Sequence, residues 1–209
     1  MALKYLKLFE THTEYEEYMN DNPTLPNVSY CIDNDEVHYN PYVPPMDTRI
    51  VATFNVINST VPNSIINDEE DIMATVTQME IDGVVLDDVV SVYKFDTTGD
   101  HTVKYTLSDP TSLLAVDTGF YYIGMFAFEP RLTKVELPAS VTSIGSGLFR
   151  GAGQLTNVTL QSTTPPTLGT DVFYNTNANL VIYVPSESVD AYKSASGWSD
   201  YASRIQAIQ

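Results

Sequence analysis

At 209 residues and 43% hydrophobic content the chain has core enough for one large or two small domains, and wholesale disorder is not expected. Twenty-seven acids against ten bases leave a formal charge of −17, which repels phosphate backbones and anionic lipid heads, so nucleic acids and membrane surfaces are poor partners. The single cysteine, Cys31, allows no intrachain disulfide and no thiol metal cage, and it reads as a buried bystander in an apolar strand.

The opening stretch, Met1 to His12, has no apolar run of signal-peptide length, and no later segment approaches 18 apolar residues. The expectation is a chain made and kept in a cytoplasm unless something else carries it out. Leu3 to Phe9 reads as a strand. Thr11 with Glu14 forms a capping-box pattern, with Tyr15, Tyr18 and Met19 on one face of a short helix reaching about Asn20. After Pro23 and Pro26, Asn27 to Ile32 alternates like a strand and Glu36 to Tyr39 alternates back across Asp33-Asn34-Asp35, which predicts a hairpin. Pro41, Pro44 and Pro45 mark a linker.

From Thr48 to Ser108 the period is two. Ile50, Ala52, Phe54 and Val56 alternate, then Met73, Val76, Met79 and Ile81 with one irregularity, then Val90 to Phe95, then Val103, Tyr105 and Leu107. Turns are expected at Pro62-Asn63, over the acidic run Asn67 to Asp71, at Asp82-Gly83 and at Gly99-Asp100. Strand and turn spacing of this kind predicts a short immunoglobulin-like β-sandwich over 46–109.

The last ninety residues repeat. Ile123-Gly124 to Phe128, Ile144-Gly145 to Phe149 and Leu168-Gly169 to Phe173 are each followed by a strand, carrying Val135/Leu137, Val158/Leu160 and Ile182/Val184. A period of 23 and then 24 residues lies in the range of leucine-rich repeats. It predicts a solenoid whose Leu132 to Leu137 and Leu155 to Leu160 strands form a parallel ladder, with the residue before glycine and the later Phe turned inward. A terminal helical cap is expected, with Ser186 capping a helix from Glu187 and a second short helix following Trp198 through Ile205 to Ile208. The fold class is therefore mainly β, in three parts: a small α+β module over 1–45, the sandwich over 46–109, and the repeats with their helical cap over 110–209. Charge is uneven across them, since residues 1–109 carry 20 acids and 5 bases and residues 110–209 carry 7 and 5.

Catalytic patterns are missing. His12, His38 and His101 form no i,i+4 pair, Gly145-Ser146-Gly147 is a repeat turn rather than a nucleophile elbow, and no phosphate-binding Gly-Lys loop occurs. Paired carboxylates such as Asp87-Asp88 and Glu69-Glu70 sit in polar turns, where the desolvation that a glycosidase acid needs is not expected. Asp33-Asn34-Asp35-Glu36 lacks the sixth-position Gly and terminal Glu of a calcium loop and reads as an Asx-rich turn. No enzyme activity, cofactor or metal is expected. The 14 tyrosines, 8 phenylalanines and single tryptophan are the better candidates, because such side chains offer rigid contact area to proteins or sugars. Tyr121, Tyr174 and Trp198 flank repeat turns and are the candidate surface-binding residues. Against this, Tyr122 and Tyr174 read equally as core neighbours, and for Trp198 sealing the cap is preferred.

Ile144-Gly145-Ser-Gly-Leu-Phe149 followed by Leu155-Thr-Asn-Val-Thr-Leu160 resembles the BspA-like leucine-rich repeat, and the flanks Gly99 to Leu107 and Tyr183 to Ala202 resemble that family's flanks. The resemblance covers about half the chain and implies extracellular adhesion without enzyme activity. Leu8 to Tyr15, Leu25 to Cys31 and Glu36 to Pro41 resemble N-terminal modules of structural proteins encoded by tailed phages of gut bacteria. That second resemblance implies a virion component such as a head fibre, decoration or tail-associated protein. Its first module, with Tyr30, His38, Tyr39 and Tyr42 as anchoring candidates, would hold other virion proteins, and its repeats would face a host protein or glycan. It also implies a possible homo-oligomer. A secreted bacterial cell-surface adhesin is the alternative.

Overall fold

The computed structural model describes residues 30–33, 36–39, 49–117, 119 and 122–209. The chain divides into two compact units, 1–47 and 48–209. In the first, β1 (Tyr30–Asp33) pairs antiparallel with β2 (Glu36–Tyr39), with Tyr30 opposite Tyr39 and Cys31 opposite His38. The expected hairpin is therefore present. The strand expected over Leu3 to Phe9, the helix from Thr11, the proline linker and Tyr42 lie outside the described residues.

The second unit begins with β3 (Ile50–Val56), whose strict alternation buries Ile50, Ala52, Phe54 and Val56 on one face. β4 (Asn63–Ser64) follows. The acidic run expected to be a turn instead starts a one-turn helix, Glu70–Met73, which buries Ile72. β5 (Val76–Ile81) and β6 (Val84–Val85) form a hairpin across Asp82 and Gly83, both at positive φ, the two-residue turn that suits the strands' right-handed twist. β7 (Val92–Tyr93) pairs with β4, and β8 (Gly99–Leu107) runs antiparallel to both β3 and β5. Gly99 and Asp100, expected as a turn, start β8.

The repeats contribute short strands on two edges. β9 (Ser112–Leu113), β13 (Ser143–Ile144) and β15 (Thr167–Leu168) form one parallel ladder in the order β15-β13-β9. β12 (Leu132–Leu137), β14 (Asn157–Leu160), β16 (Val181–Val184) and β17 (Ile205–Ala207) form the other, with Val135 opposite Val158 and Val158 opposite Ile182. β10 (Ala115–Asp117) and β11 (Tyr122–Gly124) make a separate hairpin.

The immunoglobulin-like sandwich expected over 46–109 does not form. β3 pairs with β8 on one side and antiparallel with β12 on the other, so one eight-stranded sheet runs β17-β16-β14-β12-β3-β8-β5-β6. Among the described residues no second sheet of comparable size packs on β3, β5 and β8; Ile65, Ile66, Ile72 and Phe95 from the intervening segments are buried in one cluster with them. A single hydrophobic cluster extends from Ile50 to Ile205, and the boundary expected at 109/110 falls within it.

Rings run through that cluster as a column. Tyr105 of β8 meets Phe126 edge-on at 5.5 Å. Phe126 stacks on Phe149 at 6.0 Å and Phe149 on Phe173 at 5.6 Å, and Trp198 lies against Phe173 at 6.2 Å. The terminal segment also differs from expectation. Ser186 makes no capping hydrogen bond, Ser186–Ser188 is a 3-10 turn leading into the helix Val189–Ser194, and the second helix is a 3-10 stretch, Ser199–Arg204, that ends in β17.

The first repeat is also in a different register. Phe126 N–H donates to Leu148 O and Phe149 N–H to Val172 O, which makes Phe126, Phe149 and Phe173 equivalent. Leu113 pairs in register with Ile144, and Ile144 with Leu168. The repeat equivalents in the first copy are thus Leu113 and Phe126; Ile123 is buried as expected but belongs to the β10–β11 hairpin, and Phe128 is half-exposed rather than inward. Twelve positions separate Leu114 from Phe126, against four from Gly145 to Phe149, and the longer stretch carries β10 and β11.

Candidate binding surface

Each coil turns just beyond its inward Phe. The turn is held by inter-coil hydrogen bonds, Phe128 N–H to Arg150 O at 2.7 Å and Gly151 N–H to Tyr174 O at 2.9 Å. These place Phe128, Gly151 and Asn175 at one repeated position, and all three have positive φ, 62°, 72° and 55°. Gly and Asn tolerate that left-handed region, whereas a Phe there is uncommon and is held by its neighbours. The Phe128 ring fills the space over Gly151, where an added Cβ would come within 2.4 Å of it. Gly151→Ala is therefore expected to lose about 1–2 kcal/mol from the left-handed backbone and to displace the Phe128 ring, checked by urea denaturation and by the ring's NMR shifts.

One residue earlier stand Ala127, Arg150 and Tyr174. Tyr174 is 56% exposed and Phe128 49%. The Arg150 guanidinium lies 4.4 Å from the Tyr174 ring centroid, and its Nη1 donates to Asp171 Oδ2 at 2.6 Å, so the cation is fixed over the ring. Phe128, Tyr174 and Asp171 are exposed and the largely covered Arg150 lies between the two rings, so the four make an aromatic and charged row along the turns of three successive coils.

Phe128 also borders a cleft of about 230 Å³ lined by Ser64, Asn67, Asp68, Val92 and Glu129 among others. Glu129 is 2% exposed. Its Oε1 accepts a 2.8 Å hydrogen bond from Ser64 Oγ, while Oε2 has no partner among the described residues. Burial pushes this carboxyl up to about 7, with the Asp68 charge adding to the rise and the Ser64 bond opposing it.

The sequence candidates are placed unevenly. Tyr174 belongs to the exposed row. Trp198 is fully buried, its Nε1 donating to Pro166 O at 2.7 Å and its ring edge-on to Tyr192, so no partner reaches it and it seals the end of the column. Tyr121 lies outside the described residues, and neighbouring Tyr122 is part-exposed on β11. Tyr30, His38 and Tyr39 are paired within β1 and β2. His101 is buried with Nδ1 2.6 Å from Asp82 Oδ2 and Nε2 3.0 Å from Thr97 O, a structural tie between β8 and the β5–β6 turn. Phe128, Arg150 and Glu129 were missed. Phe128 was assigned to the interior, and the signal against that was Gly151 and Asn175 at the matching turn position. Among the described residues no group of three or more His, Cys, Asp or Glu could hold a metal ion, and no helix is long and apolar enough to cross a membrane.

No curated protein matches the chain. Residues 111–196 match the family model described as BspA type leucine rich repeat region (6 copies), a stretch that opens at β9 and takes in β12, β14 and β16. The coils that carry the exposed row are therefore similar to BspA type leucine-rich repeats.

Proposed function

We propose that this protein is a non-catalytic binding protein that engages a protein or glycan surface through the row of Phe128, Arg150 and Tyr174. The observation that carries the reading is two large aromatic rings exposed on the first and third turns of the stack, one of them under a fixed guanidinium from the turn between. Rigid aromatic faces bind with little loss of conformational freedom, and they stack equally well on side chains or sugar rings. The match of residues 111–196 to a repeat region supports a surface of this kind.

The finer proposal is a phage virion component, a head fibre, decoration or tail-associated protein, held to other virion proteins by residues 1–45 and working as a possible homo-oligomer outside the host cytoplasm where it is made. It rests on the resemblance of the first forty residues. A bacterial cell-surface adhesin is the second reading, favoured by the BspA type match. Mass spectrometry of purified particles and of cell-surface fractions separates the two: peptides of this chain are expected in the particles, and their confinement to the cell surface would select the adhesin.

Phe128→Ala combined with Tyr174→Ala is expected to weaken binding to host cells at least about tenfold, since buried aromatic anchors contribute about 2 kcal/mol each. Far-UV circular dichroism should be unchanged, because both rings are half-exposed. Full binding by the double variant would rule this row out.

A further inference from the structure

The cleft beside Phe128 has features that a structural role does not use. Glu129 is buried, yet one carboxyl oxygen is satisfied by Ser64 and the other has no partner among the described residues. A buried acceptor left unpaired carries its full desolvation cost, and such groups in folded proteins call for a partner. The cleft that Glu129 lines is several times the roughly 30 Å³ share of one water molecule, so it admits more than a single solvent. At its mouth stands exposed Asp68, a second carboxylate, and its walls include the exposed apolar faces of Val92 and Phe128.

These features select among ligands. An anion would meet two carboxyl groups. A divalent metal would want more ligands than are gathered here, since no group of three or more candidates occurs among the described residues. A guanidinium binds best as a fork across both oxygens of one carboxylate, but Oε1 is already engaged by Ser64. An ammonium differs. It has three donors that can go to separate single acceptors, and a four-carbon stem that packs along apolar walls. The chain's charge of −17 also favours a basic partner.

We propose that this cleft receives a lysine side chain of a partner protein, its ammonium reaching Asp68 at the mouth and, on a turn of the buried Glu129 carboxyl toward the cleft, donating to Oε2, while its aliphatic stem lies against Val92 and Phe128. The inference rests on reading this edge of the stack as a binding surface, and it supplies the chemistry of the partner. It also places a charged recognition point next to the aromatic row.

The test uses the full chain at pH 8 and needs no partner. Nα-acetyl-lysine N-methylamide, its Nε-acetylated form and n-butylammonium are titrated while the backbone amide signals of Ser64, Val92 and Glu129 are followed by NMR. The two free ammonium compounds should move the same signals, and the Nε-acetylated compound should bind at least tenfold more weakly. Glu129→Gln should weaken the blocked lysine at least tenfold and Asp68→Asn severalfold; because Asp68 is exposed, the second variant reports on the charge at the mouth without altering the buried carboxyl. Equal response to the acetylated and free compounds, or unchanged affinity in Asp68→Asn, would overturn the proposal. Binding of n-butylammonium without binding of the blocked lysine would assign the cleft to a free amine and overturn the lysine. None of these results depends on Tyr174. The aromatic row is judged separately, by the Phe128/Tyr174 double variant on host cells.

Discussion

Phe149→Ala is expected to destabilise the protein by about 4 kcal/mol, a large share of the roughly 5–15 kcal/mol that holds a domain folded. Phe149 is fully buried in the middle of the column, between Phe126 at 6.0 Å and Phe173 at 5.6 Å. Truncation removes one ring and both of its stacking contacts. Collapse of the coils into the gap is resisted by the inter-coil bond from Phe149 N–H to Val172 O and its equivalents, which fix the spacing. Phe149→Leu keeps most of the volume and should cost about 1–2 kcal/mol, near the usual limit for a volume-conserving change. Urea denaturation at constant slope measures both. A loss below about 1 kcal/mol for the alanine variant would mean that the coils relax freely against one another, against the close packing that interiors show.

Glu129→Gln is expected to stabilise the protein by about 3 kcal/mol at pH 8 and to change little at pH 4. Burial raises the Glu129 carboxyl from 4.5 to about 7 in the folded chain, with Asp68 adding repulsion. Tyr105, the other titratable group coupled to it, is itself pushed further up and stays neutral throughout this range. The folded state therefore binds the Glu129 proton more tightly than the unfolded state. That contribution to stability is complete below about pH 4.5 and is lost as pH rises through about 7. Glutamine cannot titrate, so the difference between variant and parent should open across that window and then level. Glu80, lowered chiefly by its hydrogen bond to Lys104, works in the opposite sense, but below its ordinary value of 4.5 and so outside the window. Parallel pH profiles for the two proteins would show that Glu129 is solvated in the folded state.

What could be read from the sequence followed the regularity of burial. β3 and β8 place every second residue in the core, and the Val135, Val158 and Ile182 strands are parallel as the 23- and 24-residue period implied. The first coil misled because Ile123-Gly124 to Phe128 reproduces the repeat spacing by coincidence, while the β10–β11 insertion hides the true equivalents, Leu113 and Phe126. The position after Leu113 carries leucine rather than glycine for a physical reason. At Gly145 an added Cβ would come within 2.3 Å of Leu113 O in the preceding coil, and at Gly169 within 2.5 Å of Ser146 N. β9 is the outer strand of its ladder, so Leu114 meets no earlier coil and is free to carry a side chain.

The merging of the two β regions was not legible at all. Alternation shows which face of a strand is buried but not which strand lies beside it, and the pairing of β3 with β12 joins segments some eighty residues apart. Glu129 escaped for a related reason. Its hydrogen-bond partner, Ser64, is 65 positions away, and nothing local marks the carboxyl as buried.

The continuity of that core has a direct measurement. Trp198 is the single tryptophan and is buried at the C-terminal end of the column, so its fluorescence reports that end alone. The amide signals of Ala52 in β3 and Val103 in β8 report the antiparallel end. Followed together through a urea titration, all three should change at one midpoint with one slope, as a cooperative unit requires. Two separated transitions, with Ala52 and Val103 melting apart from Trp198, would contradict a single core across residues 50–205 and restore two independent domains.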